Sequence, residues 1–253
     1  MFPYRDELRT LRPPVVTVAL IAANALVWVF VQGAGAPQPL LKSVCDLGLI
    51  PGELTGTVAP GTSFPLGDGW ACVTESGRHA SHLLTSMFLH GSWMHLLGNM
   101  WFLGLFGSRV EDAMTRPRFL ALYLLGGLAA AFAQVAASPA SGVPMVGASG
   151  AIGAVMGAYL VLHPTTRVYA LVPLGFFITS IALPAWTMLL YWAGLQLLSG
   201  LASIGDVSGT GVAFWAHVGG FSAGLLLARP FTRAERAGEQ SARRWRPRRV
   251  LWE

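Results

Sequence analysis

Apolar runs of membrane length recur along the chain, separated by short polar stretches. Taken at about 20 residues per crossing, they predict helices near 14–33, 92–112, 118–137, 149–162, 184–202 and 212–229. The fourth run is short, with Pro144 just before it. Residues 168–183 are also apolar but are broken by Pro173 and Gly175, with Pro184 following. Together with the fifth run they are too long for one helix and too short for a helical pair. They are read as a segment lying at the inner interface. The expected fold is all-α: a polytopic membrane protein with six transmembrane helices over 14–229, a cytoplasmic N-terminal segment 1–13 and a cytoplasmic tail 230–253. The one long connection, 34–91, reads as an external loop, irregular over 51–69 and partly helical from His79 to Leu89.

Composition agrees with a membrane protein. Of 253 residues, 53% are hydrophobic and 11% charged, where a soluble domain carries roughly a quarter charged residues. The polar stretch Met1 to Arg12 followed by a long apolar run reads as a retained span, not a cleaved signal. Arg5, Arg9 and Arg12 precede the first span, and Arg109, Arg116 and Arg118 lie between the second and third. Arg167 follows the fourth, and Arg229, Arg233, Arg236, Arg243, Arg244, Arg246, Arg248 and Arg249 follow the sixth. The other side holds only Lys42 and Arg78. The positive-inside rule then expects both termini in the cytoplasm. Scarce lysine with abundant Ala, Gly and Arg suggests a GC-rich bacterial genome, hence a bacterial cytoplasmic (inner) membrane. The net charge of +5 resides largely in the tail, which reads as a polybasic segment against anionic lipid in preference to a nucleic-acid-binding arm. Both cysteines, Cys45 and Cys72, fall in the long loop, on the side expected to be oxidising. A disulfide between them and two free thiols are both open.

Candidate chemistry sits where hydrocarbon is expected, and polar groups at membrane depth usually mark function. Ser149, in Gly147-Ala148-Ser149-Gly150, heads the fourth span; His217, in Ala216-His217-Val218-Gly219-Gly220, lies near the head of the sixth. Ser149, Gly153 and Gly157 share one nearly bare helix face, and His217, Gly220 and Gly224 share another. Small-xxx-small faces let backbones approach closely, so packing them brings His217 to Ser149. A serine hydroxyl needs such a base to become a nucleophile. Ser149 also stands at a helix N-terminus after flexible Gly147, where free N–H groups can stabilise an oxyanion. His95 and Asn99, four apart on the second span, add two donors at similar depth, with His90 one short step before that helix. Each feature alone has a plainer explanation. A serine at a helix start is an N-cap, a histidine or asparagine on a span cross-links helices, and a glycine face is a packing device. Their joint occurrence on three spans carries the catalytic reading.

With these motifs together, His90-x4-His95-x3-Asn99, Gly147-Ala148-Ser149-Gly150 and Ala216-His217-x2-Gly220-x3-Gly224, the chain resembles the rhomboid intramembrane serine proteases over its whole membrane region. The resemblance implies a six-helix bundle and a Ser149–His217 dyad without an acidic third member. His95 and Asn99 would match the oxyanion-hole side chains, and Glu111 a structural glutamate. It further implies cleavage of transmembrane segments that enter sideways from the lipid past span five and the first-loop region, unwind locally, and are cut at small residues with helix-breaking ones nearby. Two positions depart from the pattern. The Trp-Arg pair of some members is absent from the first loop, although Trp70 and Arg78 are present, and Gly153 stands where some members stack an aromatic on the base. What orients His217 is therefore open; Asp206 is the nearest acidic residue in sequence and reads as an ordinary loop residue.

Other classes fit less well. No His-Glu-x-x-His pattern exists for zinc, and the two intramembrane aspartates of an aspartyl protease are missing. A transporter would show paired intramembrane charges or repeats. A catalytically silent rhomboid-like protein that binds transmembrane helices remains the alternative, though such proteins typically lack the serine or the histidine. No cofactor or metal is expected. The expected partners are transmembrane protein substrates and membrane lipid, with no nucleic acid; no feature of the sequence specifies an oligomeric state.

Overall fold

The computed structural model describes residues 2–67, 69–77, 79–175, 177–203 and 212–242. Arg78, Asp206 and the arginines from Arg243 to Arg249 lie outside the described residues. In chain order the elements are β1 (Phe2–Asp6), α1 (Val15–Phe30), a short 3-10 turn (Gly33–Gly35), α2 (Pro37–Leu47), α3 (Pro51–Thr55), β2 (Ser63–Gly67), β3 (Trp70–Val73) and α4 (His82–Thr85). Then come α5 (Trp93–Phe102), a π-helical turn (Leu103–Gly107), α6 (Ser108–Ala113), α7 (Arg116–Ala137) and α8 (Ser149–Leu162). The hairpin β4 (Arg167–Leu174) and β5 (Phe177–Pro184) leads into α9 (Ala185–Ala202), α10 (Phe214–Phe231) and α11 (Ala234–Ala242). All six apolar runs are helical. Among the described residues, α7 alone is by itself long and apolar enough to cross a bilayer; α1 and α8 are shorter apolar helices.

α8 is the centre of the molecule. Ten consecutive residues from Gly150 to Tyr159 are buried, as suits a helix apolar on every side. Its neighbours α7 and α10 meet it through small residues. A Cβ added at Gly126 would strike the Ala154 side chain, and one at Gly150 would lie 2.5 Å from that of Ala130. Against α10 the approach is closer still: a Cβ on Gly220 or Gly224 would overlap the carbonyl oxygens of Gly150 and Ala154. Below this seam the core fills with Phe106, Val110, Phe119, Leu122, Val155 and Tyr159, all fully buried.

At the end that carries β1 and α6, polar contacts tie the helices together. Glu111 accepts hydrogen bonds from the backbone N–H groups of Val16 and Thr17 and from the Thr17 hydroxyl, at 2.8–2.9 Å. It thus satisfies the orphan donors that begin α1. Buried Asp6 accepts from Arg109 and from the Tyr159 hydroxyl. Burial pushes its carboxyl above the ordinary carboxylate value, with Arg109 pulling the other way.

Two expectations change. The fold is mostly helical but not all-α. The segment read as interfacial is a β-hairpin, and β1 joins it to give a sheet in the order β1-β4-β5. Gly175, at φ +62°, occupies the left-handed region between the two strands, and β-branched and aromatic residues flank it. The first loop is not irregular over 51–69 either. It holds α3 and a β2–β3 hairpin, and Cys45 and Cys72 are joined by a disulfide that staples α2 to β3. The partly helical stretch after His79 is present as α4 and a 3-10 turn at Ser86–Phe88.

Candidate active site

Ser149 begins α8, so its own N–H and that of Gly150 have no carbonyl to bond within the helix. The turn before it depends on Gly147, which sits at φ +125°, where a side chain is strained. A Cβ there would also lie 2.7 Å from His95 Nε2. Gly147 N–H donates to the Ser86 carbonyl, fixing the turn against the first loop.

The glycine seam does what the two bare faces suggest. Gly153 faces the His217 carbonyl and Gly157 the Phe221 carbonyl, so α8 and α10 touch backbone to backbone. At the head of this seam Ser149 Oγ and His217 Nε2 are 2.8 Å apart. On the other side of the ring, His217 Nδ1 is 2.7 Å from Gln196 Oε1. An amide oxygen only accepts, so this contact suits a ring protonated at Nδ1, the form that leaves a lone pair on Nε2 for the Ser149 hydroxyl. The Trp192 ring lies 5.8 Å from the imidazole, tilted by 40°, and also packs on Phe221. Gln196 and Trp192, one turn apart on α9, thus hold the ring that Gly153 leaves without an aromatic partner.

His95 and Asn99 stand opposite, on α5. His95 Nδ1 accepts from the Gly91 N–H at 3.3 Å, which leaves Nε2–H as the donor, beside Gly147. Asn99 is buried, and its Nδ2 makes no hydrogen bond within the described residues. The amide lies 3.6 Å from where a Gly147 Cβ would be, on the same side as His95 Nε2. His90 is fully buried edge-on to His95, ring centroids 5.1 Å apart, and Gln32 clamps its backbone from both sides. It supports the site from behind.

Ser149, His217, His95 and Asn99 line a cavity of about 370 Å³. One wall is α5, through Met94, Gly98 and Phe102; the opposite wall is Trp192 of α9, and Val212 and Ala213 lie before α10. The walls are apolar around a small polar centre. Among the described residues no group of three or more His, Cys, Asp or Glu is placed to hold a metal ion. Sequence reasoning found Ser149, His217, His95 and Asn99, and the structure gathers them. It missed Gln196 and Trp192, which are joined to His217 only through space.

Residues 77–234, well over half of the chain, match the rhomboid domain. The chain is 33% identical to rhomboid-like protease 5 of Toxoplasma gondii over 56% of its own length and 15% of that protein. It is 36% identical to presenilin-associated rhomboid-like protein A, mitochondrial, of Danio rerio over 34% and 23%. With RHOMBOID-like protein 6, mitochondrial, of Arabidopsis thaliana it shares 32% identity over 62% and 45%. It spans less than half the length of each. These relatives correct the expected location. Two of the three carry mitochondrial names, and the expectation of a bacterial cytoplasmic membrane does not stand. Scarce lysine with abundant arginine reports base composition, which does not specify a compartment. On the domain match and the motifs it covers, the chain belongs to the rhomboid family.

Proposed function

We propose that this protein is an intramembrane serine endopeptidase that cuts transmembrane segments of other membrane proteins. The observation that carries the reading is the 2.8 Å contact between Ser149 Oγ and His217 Nε2, with Gln196 Oε1 at 2.7 Å from the other ring nitrogen. A neutral imidazole so placed can act as the general base that a serine nucleophile requires. His217 takes the Ser149 proton as Oγ attacks the scissile carbonyl, then returns it to the departing amine. Water hydrolyses the acyl-enzyme. Ser149 N–H, His95 Nε2–H and Asn99 Nδ2–H converge on the position of the oxyanion. No cofactor enters the scheme. The relative from Toxoplasma gondii is itself named a protease.

The proposal takes the unit 14–229 as six spans and the arginines after α10 as its contact with anionic lipid. A substrate helix hides its carbonyls, so it unwinds locally before entering the apolar cavity between α5 and α9. The test is cleavage of a model transmembrane substrate in proteoliposomes by wild type, Ser149→Ala and His217→Ala, with fluorophosphonate labelling alongside. Wild type is expected to cut and to be labelled at Ser149, and both variants to lose cleavage. Equal cutting by all three overturns the reading. So does absence of cutting with Ser149 unlabelled, an outcome that leaves a helix-binding protein.

A further inference from the structure

Gln196 is the one amide side chain on a mostly apolar helix. α9 presents Leu190, Tyr191, Leu195, Leu197, Leu198 and Leu201 outward, and an unpaired amide among them is costly in lipid. Its oxygen points instead at the base. Resting on the endopeptidase reading, we propose that Gln196 is the positioning residue for His217 and selects the tautomer in which Nε2 is free to take the Ser149 proton.

The chemistry favours an amide at this place. A neutral imidazole distributes its single proton between two nitrogens. An acceptor fixed beside Nδ1 draws the proton there and stops the ring from turning about its Cβ–Cγ bond. When Ser149 gives its proton to Nε2, the Nδ1–H bond to Gln196 becomes charge-assisted and strengthens. A carboxylate would do this more strongly, but it would bury a charge at membrane depth in the resting protein. A neutral amide gives direction without that cost. The Trp192 ring, 5.8 Å away on the same face of α9, limits the remaining tilt. Nucleophile and base sit on α8 and α10, whereas both groups that aim the base sit on α9, the wall of the cavity. The base is aligned only while α9 stands against α10.

The alternative is that Gln196 merely cross-links α9 to α10. The experiment separates the two with Gln196→Leu, which keeps the bulk and removes the acceptor, and Gln196→Glu, which keeps an acceptor oxygen in either protonation state. Gln196→Leu is expected to lower kcat roughly 10- to 100-fold, a part of the roughly 10²–10⁴-fold that general acid–base catalysis contributes as a whole. Its KM should stay within about twofold, since the ring does not bind substrate. Gln196→Glu should restore most of kcat. Independently, ring-¹⁵N spectra of histidine-labelled protein in detergent, with the His217 signal assigned by its loss in His217→Asn, should show Nδ1 protonated in wild type and a tautomer mixture in Gln196→Leu. The proposal is overturned if Gln196→Leu keeps wild-type kcat, if Leu and Glu lose activity equally, or if wild-type Nδ1 carries no proton. The wild-type spectrum decides the matter even if a variant does not fold. It needs no hydrolysis, so a failed protease reading, seen as Ser149-independent cleavage, is recognised separately.

Discussion

Asn99 shows most directly what a single side chain contributes. Its amide is buried yet donates to nothing within the described residues, and a buried donor without a partner is destabilising. The proposed oxyanion gives it a partner only during the reaction. Asn99→Ala should therefore lower kcat by about 10²–10³ without lowering the thermal midpoint, because no native bond is lost. Saturating-substrate kinetics beside a melting curve checks both halves. Ser149, His95, Asn99 and His217 were legible because each stands in a spaced motif with a chemical reason for the spacing. Gln196 was not. A glutamine on an apolar helix signals a buried contact without naming its partner, and 21 positions separate it from His217. Trp192 is hidden for the same reason: an aromatic on an apolar helix carries no local mark of the ring it meets.

Among the elements, the α8–α10 seam separates glycines that must be glycine from those that are only small. At Gly224 the atom in the way is the Ala154 carbonyl oxygen, part of the backbone. Gly224→Ala must push the helices apart, which in a packed core costs about 1–3 kcal/mol. It should weaken fluorophosphonate labelling of Ser149 as the dyad opens. At Gly153 the nearest atom is 3.2 Å away, so Gly153→Ala needs only a few tenths of an ångström. It should melt close to wild type and keep most of its labelling. The bare faces were legible as rows of small residues at spacings of three and four. The β4–β5 hairpin was not, because Val168, Tyr169, Ala170, Leu171 and Val172 are apolar on both faces and show no alternation. Its partner strand β1 lies over 160 residues earlier, beyond the reach of any local pattern.

Across the whole molecule, the long loop is a folded cap and not a tether. The Cys45–Cys72 disulfide closes a stretch with a sequence separation of 27, and removing such a cross-link frees about 3.5 kcal/mol of unfolded-chain entropy. Reductant, or Cys45→Ser, should lower the melting temperature and speed proteolysis of the loop while leaving Ser149 and His217 in contact. Limited trypsinolysis with and without reductant reads this directly. The bond also fixes α2 near β3, at the end of the molecule where Gly147 leans on Ser86. The seam beneath it has a reach beyond packing. A side chain can yield to its neighbour, but a carbonyl lodged against a Cα cannot slide by one residue without striking the next Cβ. The contacts of Gly220 with Gly150 and of Gly224 with Ala154 therefore act as the teeth of a rack. They index α10 to α8 at a single register and hold the Ser149–His217 pair at a constant depth. On the endopeptidase reading, any adjustment to substrates of different length would fall to the cavity walls α5 and α9, because the pair itself has only one setting.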